Sequence, residues 1–153
     1  MTAPLRVVEV DGSSAAVSDV AGLFDLYRQH YGERSQAAAC ADWLTEHLSQ
    51  GRLRVYLAHD GDRPVGICLV APMPASLRLA SFWQVRDLYA APTHRRRGVA
   101  TALLTRVRDE AAAAGAIRVS LSTEAGNAAA LAVYEGLGFT AVEGYRTLAV
   151  DVD

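Results

Sequence analysis

The chain opens with a β-branched run, Leu5–Val10, that predicts a strand ended by Asp11-Gly12-Ser13-Ser14. From Val17 to Tyr31 apolar residues recur at helical spacing through Val20, Leu23, Phe24 and Tyr27, and Gly32 follows as a stop. A second helix is predicted from Ser35, a candidate N-cap, through Trp43, Leu44 and Leu48 to Gly51. Between Arg52 and His59 the residues Leu53, Val55 and Leu57 alternate with polar neighbours. Asp60-Gly61-Asp62 then turns the chain into a strand, Pro64–Val70, that Pro72 and Pro74 are expected to end. Ser81–Ala91 reads as a long strand closed by Pro92, Gly98–Ala114 as a helix with Val99, Leu103, Val107 and Ala111 on one stripe, and Ile117–Thr123 as a strand. A short helix over Asn127–Leu137 and two strands within Phe139–Val152 complete the pattern. The order β-α-α-β-β-β-α-β-α-β-β predicts one α/β domain spanning 1–153. Its strand–helix–strand unit over Ser81–Thr123 should be parallel and its hairpin antiparallel.

Composition narrows the classes. With 51% hydrophobic and 21% charged residues, 153 residues suffice for one packed core. Net charge is −2 and all 15 basic side chains are arginine, so the footprint of a nucleic-acid binder is missing. No run of 18 apolar residues predicts a membrane span, and Met1–Arg6 lacks the pattern of a secretory signal. Cys40 and Cys68 read as small buried hydrophobes in a reducing compartment, so a cytoplasmic protein is expected. Histidines 30, 47, 59 and 94 are scattered and form no metal set.

The most specific feature is Arg95-Arg96-Arg97-Gly98-Val99-Ala100, where a strand passes directly into a helix. A helix N-terminus leaves backbone N–H groups without partners and carries partial positive charge, so it receives phosphate. Gly98 and Ala100 leave room for close approach, and the arginines add attraction. Taken alone, the plainer reading is an ordinary helix start beside a solvated basic run.

Two blocks together go further. Arg95, Gly98 and Ala100 fill the R/Q-x-x-G-x-G/A signature of the GNAT superfamily. Asn127, Ala130, Tyr134 and Gly138-Phe139 resemble its N-x-x-A-x-x-x-Y-x-x-x-G-F block. The resemblance implies a mixed, twisted sheet of six to seven strands flanked by about four helices, with a splayed central parallel pair. It implies N-acetyl transfer from acetyl-CoA to a primary amine, here of a small molecule, by direct attack in a ternary complex. The backbone of Leu88, Tyr89 and Ala90 would bind the pantetheine arm like an added strand, beside a bulge. The amides of Arg95, Arg96, Arg97, Gly98, Val99, Ala100 and Thr101 would take the pyrophosphate. Asn127 would touch the CoA arm, or simply cap its helix. Tyr134 would protonate the leaving thiolate, or simply fill the core.

The base is less well marked. Some family members carry a glutamate on the central strand where this chain has Gln84 or Arg86. Strict alternation puts Gln84, Arg86 and Leu88 on one face and Asp87 on the other, unless a bulge breaks the parity. Asp87 is therefore one candidate base, with bracing a nearby loop as its plainer role, and Glu33 is another. Tyr27 and Tyr31, with Gln84 and Arg86, are the candidate acceptor-binding residues. Trp43, Phe82 and Trp83 extend that aromatic set, though helical spacing explains Tyr27 and Tyr31 as core. Asp87-Leu88-Tyr89 resembles polyamine-acetylating members, which carry an acid where Arg86 stands. Arg86 would repel a polycation and suits an amine bearing a carboxylate, although it would serve equally to pair with a nearby acid. A homodimer through an apolar edge strand, Thr147–Val152, is expected, as are no membrane partner and no metal. The alternative from another class is a non-catalytic acetyl-CoA-binding sensor or assembly domain.

Overall fold

The β-branched run forms strand β1, Arg6–Val10, and the alternating segment forms β2, Arg54–Asp60. The turn at Gly61 leads into β3, Arg63–Ala75, which is followed by β4, Ala80–Ala90, and later by β5, Val119–Leu121. These five strands make one sheet in the order β1-β2-β3-β4-β5, antiparallel throughout except for the parallel pair β4–β5. Helices α1, Ser14–His30, and α2, Ala37–Ser49, lie between β1 and β2 in the chain, and α3, Val99–Ala113, is the crossover between β4 and β5. The structure, a computed structural model, describes residues 3–152. The Met1-Thr2 start of the Met1–Arg6 segment and Asp153 lie outside it. Residues 1–122 and 123–153 form two units, each described by itself.

In the first unit the sheet is covered on both faces. Val20, Leu23 and Leu44 of α1 and α2 pack on Val55, Leu57, Ile67, Leu69 and Tyr89. The opposite face carries α3 through its buried stripe Val99, Leu103, Leu104, Val107 and Ala111. Gly66 on β3 permits that approach: a Cβ there would collide with Val99 Cγ1 and stand 3.0 Å from the Tyr89 carbonyl oxygen. Charged groups at the margin tie α3 to the first strands. Arg54 holds Glu9 at 2.7 Å, while Arg106 holds Glu110 at 2.8 Å and donates to the Val7 carbonyl at 2.7 Å. Among the described residues, no helix is long and apolar enough to cross a membrane.

Cys40 and Cys68 are free and buried, and desolvation pushes both thiols up. The native protein is expected to resist an aromatic disulfide reagent and to titrate two thiols per chain only once denatured. A thiol that reacts promptly in native buffer would contradict this packing.

The structure corrects the sequence reading in three places. β3 runs through Pro72 and Pro74 rather than ending before them. The β2 ladder stops at Arg54↔Val70, so the prolines pair only with β4, and their missing donors meet no second neighbour. Ser35 does not cap α2; the helix starts after Gln36, and the Ser35 hydroxyl donates to Asp25 instead. Among the described residues the sheet has five strands, not six or seven. Residues 139–152, described within the second unit, carry no assigned strand.

The second unit is built on α4, Ala128–Gly136. Asn127 caps it, with Oδ1 accepting from the Ala130 N–H at 3.2 Å. At the other end Gly138 takes φ +94°, and the N–H groups of Gly138 and Phe139 reach the carbonyls of Glu135 and Tyr134, both at 3.0 Å. This is the 6→1, 5→2 bonding of a Schellman stop. The Phe139 and Tyr134 rings meet edge-to-face at 6.0 Å, supplying its hydrophobic contact.

Candidate active site

The site begins with a fault in the β3–β4 ladder. Val70 pairs with Val85 and Leu69 with Asp87, so Arg86 has no partner and forms a bulge. The parallel ladder to β5 stops at the same point: its last pair is Val85↔Leu121. From Leu88 to Ala90 the strand stays joined to β3 on one side only. On its other side no strand pairs with it among the described residues.

The bulge also resets which side chains share a face. Ala71, the partner of Gln84, and Leu69, the partner of Asp87, both pack toward α1 and α2. Gln84 and Asp87 therefore lie on the same side, while Leu88, paired with Cys68, lies on the other. Strict alternation placed Asp87 opposite Gln84 and Leu88 beside it; the extra residue at Arg86 inverts both. The Arg86 guanidinium reaches back to donate to Gln84 Oε1 at 3.3 Å.

Asp87 is half-buried, and that desolvation pushes its carboxyl above the usual carboxylate range. A hydrogen bond from Tyr27 and the charge of Arg86 pull in the other direction without cancelling the burial effect. Tyr27 itself lines a cleft of about 160 Å³ together with His30, Tyr31, Leu88, Tyr89, Ala90 and Arg95. The Tyr27 and Tyr89 rings meet edge-to-face at 5.7 Å, and Arg95 stands over Tyr89 at 5.9 Å. The cleft thus joins the open stretch of β4 to a half-buried carboxylate through one tyrosine.

The floor of the basic loop is fixed by backbone geometry. Arg96 and Gly98 both adopt left-handed conformations, at φ +62° and +82°. Gly98 is the N-cap of α3 but has no side chain to satisfy the first turn. The Ala102 N–H is bonded to the Gly98 carbonyl at 2.9 Å, which leaves Val99, Ala100 and Thr101 with the open amides of a helix start. Arg95 and Arg97 flank this point in the chain.

His94, dismissed in the sequence as one of four scattered histidines, is buried here. Its Nε2 lies 2.9 Å from Asp60 Oδ2 and its Nδ1 2.8 Å from Thr93 Oγ1, so it pins the loop's start to the β2–β3 turn. Nothing in the spacing of residues 60 and 94 announces that pairing. Asp25 was equally silent. It is buried and accepts from the Gln36 N–H at 2.6 Å, the Ser35 hydroxyl at 2.7 Å and Gln29 at 3.1 Å, and these bonds hold its carboxyl below the usual range. It thereby fixes the corner after Tyr31. Glu33, on that corner, is exposed and 3.8 Å from Arg28; it is not among the residues lining the cleft. Of the wider aromatic set, Trp43 stacks on Phe24 within the helices, while Trp83 lies under Arg54 and Phe82 under Arg118. Asn127 and Tyr134 belong to the second unit, with the helix-capping contacts already given.

Known proteins are similar to this chain in sequence and fold. A family model described as the acetyltransferase (GNAT) family matches residues 20–139. An uncharacterised N-acetyltransferase of Bacillus subtilis strain 168, YhfO, is 26% identical over 141 residues, covering 92% of this chain and 93% of its own. The crystal structure of a probable acetyltransferase superposes with a TM-score of 0.87 at 30% identity, over 97% of this chain and 98% of that one. The aminoglycoside acetyltransferase meta-AAC0020, from an uncultured soil metagenomic sample and crystallised with sisomicin, shares the fold at a TM-score of 0.82 and 15% identity, with 97% of each chain covered. The family match spans most of the chain and contains both the bulged strand and the start of α3, and the chain belongs to the GNAT acetyltransferase family.

Proposed function

We propose that the protein is an acetyl-CoA-dependent N-acetyltransferase acting on a primary amine of a small molecule, in a ternary complex. The observation that carries this reading is the open backbone of Leu88–Ala90 running up to a helix start with open amides. A long donor with an amide-bearing arm and a pyrophosphate suits both features at once. Acetyl-CoA supplies the thioester; this chain's residues bind, orient and move protons.

Leu88, Tyr89 and Ala90 would hold the arm by strand-like hydrogen bonds, and the amides of Arg95–Thr101 would take the pyrophosphate. An alkylamine has a pKa of about 10, so only about one in a thousand is neutral at pH 7. Asp87, linked to the cleft through Tyr27, would accept the proton that the amine must lose. The nitrogen forms a C–N bond at the carbonyl carbon, with the Ala90 N–H as the candidate donor to the developing oxyanion. Collapse breaks the C–S bond, and Tyr134, by its place in the family block, would give the thiolate its proton.

Release of free CoA thiol across a panel of primary amines tests this reading. Turnover is expected, with kcat lowered about 10²-fold in Tyr134→Phe. CoA binding without turnover on any amine would replace the enzyme with a sensor domain.

A further inference from the structure

We infer that the acceptor is an amine that also carries a carboxylate, with Arg86 and Gln84 as the carboxylate-binding pair; this rests on the acetyltransferase reading above. The bulge is what brings the groups together. Without it, Gln84 and Asp87 would stand on opposite faces of β4; with it, Gln84 and Asp87 share the face toward α1 and α2, and Arg86 is bonded to Gln84 there.

Arg86 differs from the arginines that serve the fold. Arg28, Arg54 and Arg106 each have a carboxylate within 4.0 Å, whereas Arg86 is exposed and its partner is the neutral Gln84 amide. Guanidinium groups match carboxylates in a planar, two-pronged geometry that an amide oxygen does not complete. Gln84 spends its Oε1 on Arg86, which leaves its Nε2 as an additional donor toward the same anion. One residue further along stands the half-buried Asp87, the base of the proposed reaction. Neither Arg86 nor Gln84 lines the cleft itself, but along β4 an exposed cation and a half-buried acid stand next to each other and present opposite charges. A zwitterionic amine carries the complementary pair, whereas a polycation such as spermidine meets Arg86 as a like charge.

The test compares kcat/KM for each of the common amino acids with that for its own primary amide and its decarboxylated amine, with spermidine alongside. For the best acceptor, the carboxylate form is expected to be preferred by about 10- to 100-fold, mostly through KM. Arg86→Gln should erase that preference, Arg86→Lys should retain part of it, and Arg86→Glu should turn it toward spermidine. Amides or amines that outperform their carboxylates in the wild type overturn the inference and leave the acetyltransferase reading standing. A preference that survives Arg86→Gln overturns it too. Failure to consume acetyl-CoA with any amine sinks both.

Discussion

Replacing Asp87 by Asn is expected to lower kcat by about 10²- to 10⁴-fold, the range for loss of a positioned general base, while the chain stays folded. The sign of the accompanying pH effects follows from the raised carboxyl. In the wild type kcat should fall as pH drops and Asp87 takes up a proton, with the acid limb above the ordinary aspartate value of 3.8. Asp87→Asn should lack that limb. Stability moves the opposite way. A carboxyl whose pKa is higher folded than unfolded favours the native state least once it is ionised, so its cost is absent below pH 3.8 and complete above the folded pKa. The Asn variant should therefore equal or exceed the wild type in stability at neutral pH, with the difference closing in acid. Stability and activity profiles measured on the same two proteins check this. A variant that unfolds more readily at pH 7 and keeps its acid limb would make Asp87 a brace for α1, its plainer reading.

The second large effect concerns packing. Gly66→Ala places a methyl group against Val99 Cγ1, the Tyr89 carbonyl at 3.0 Å and Leu103 Cδ1 at 3.3 Å. One of these neighbours is backbone and the others begin α3, so the helix must shift to make room. Overpacking of this kind costs about 1–3 kcal/mol, or a fall in Tm of about 2–12 °C for a chain of this size. Because Val99 is the first residue of α3, the KM for acetyl-CoA should rise as well. Gly22→Ala is the control: it lies inside α1 with no atom within 4 Å of the added methyl, and it should leave Tm unchanged or raise it. A Gly66→Ala protein that melts with the wild type would show that α3 is not held where the structure puts it.

Much of this was legible in the chain because regular elements follow local rules. The helical stripes of α1 and α3, the alternation of β2 and the glycine stops were set by residues within a few positions of each other. The junction at Arg95–Ala100 was readable for the same reason: a strand closing at Pro92 and a helix opening at Gly98 leave an anion-binding start whatever surrounds them. Even the Asn127…Phe139 block proves to encode local geometry, an N-cap at one end and a Schellman stop at the other. What escaped depends on pairing between distant segments. The bulge at Arg86 exists only in the ladder against Leu69 and Val70, so strand parity read from β4 alone put Asp87 on the wrong side. Asp60 and His94 lie 34 positions apart, and nothing local marks their bond. Pro72 and Pro74 were read as strand breakers because the sequence does not say that β2 ends first.

The most direct measurement is a paired product assay: acetyl-CoA labelled in the acetyl group, a set of primary amines, and simultaneous quantification of free CoA and N-acetylated product by mass spectrometry. Equal amounts of free CoA and labelled N-acetyl amine, rising together with time, are the predicted result. Free CoA without acetylated amine, or no CoA released with any acceptor, would contradict acetyl transfer to nitrogen at this site.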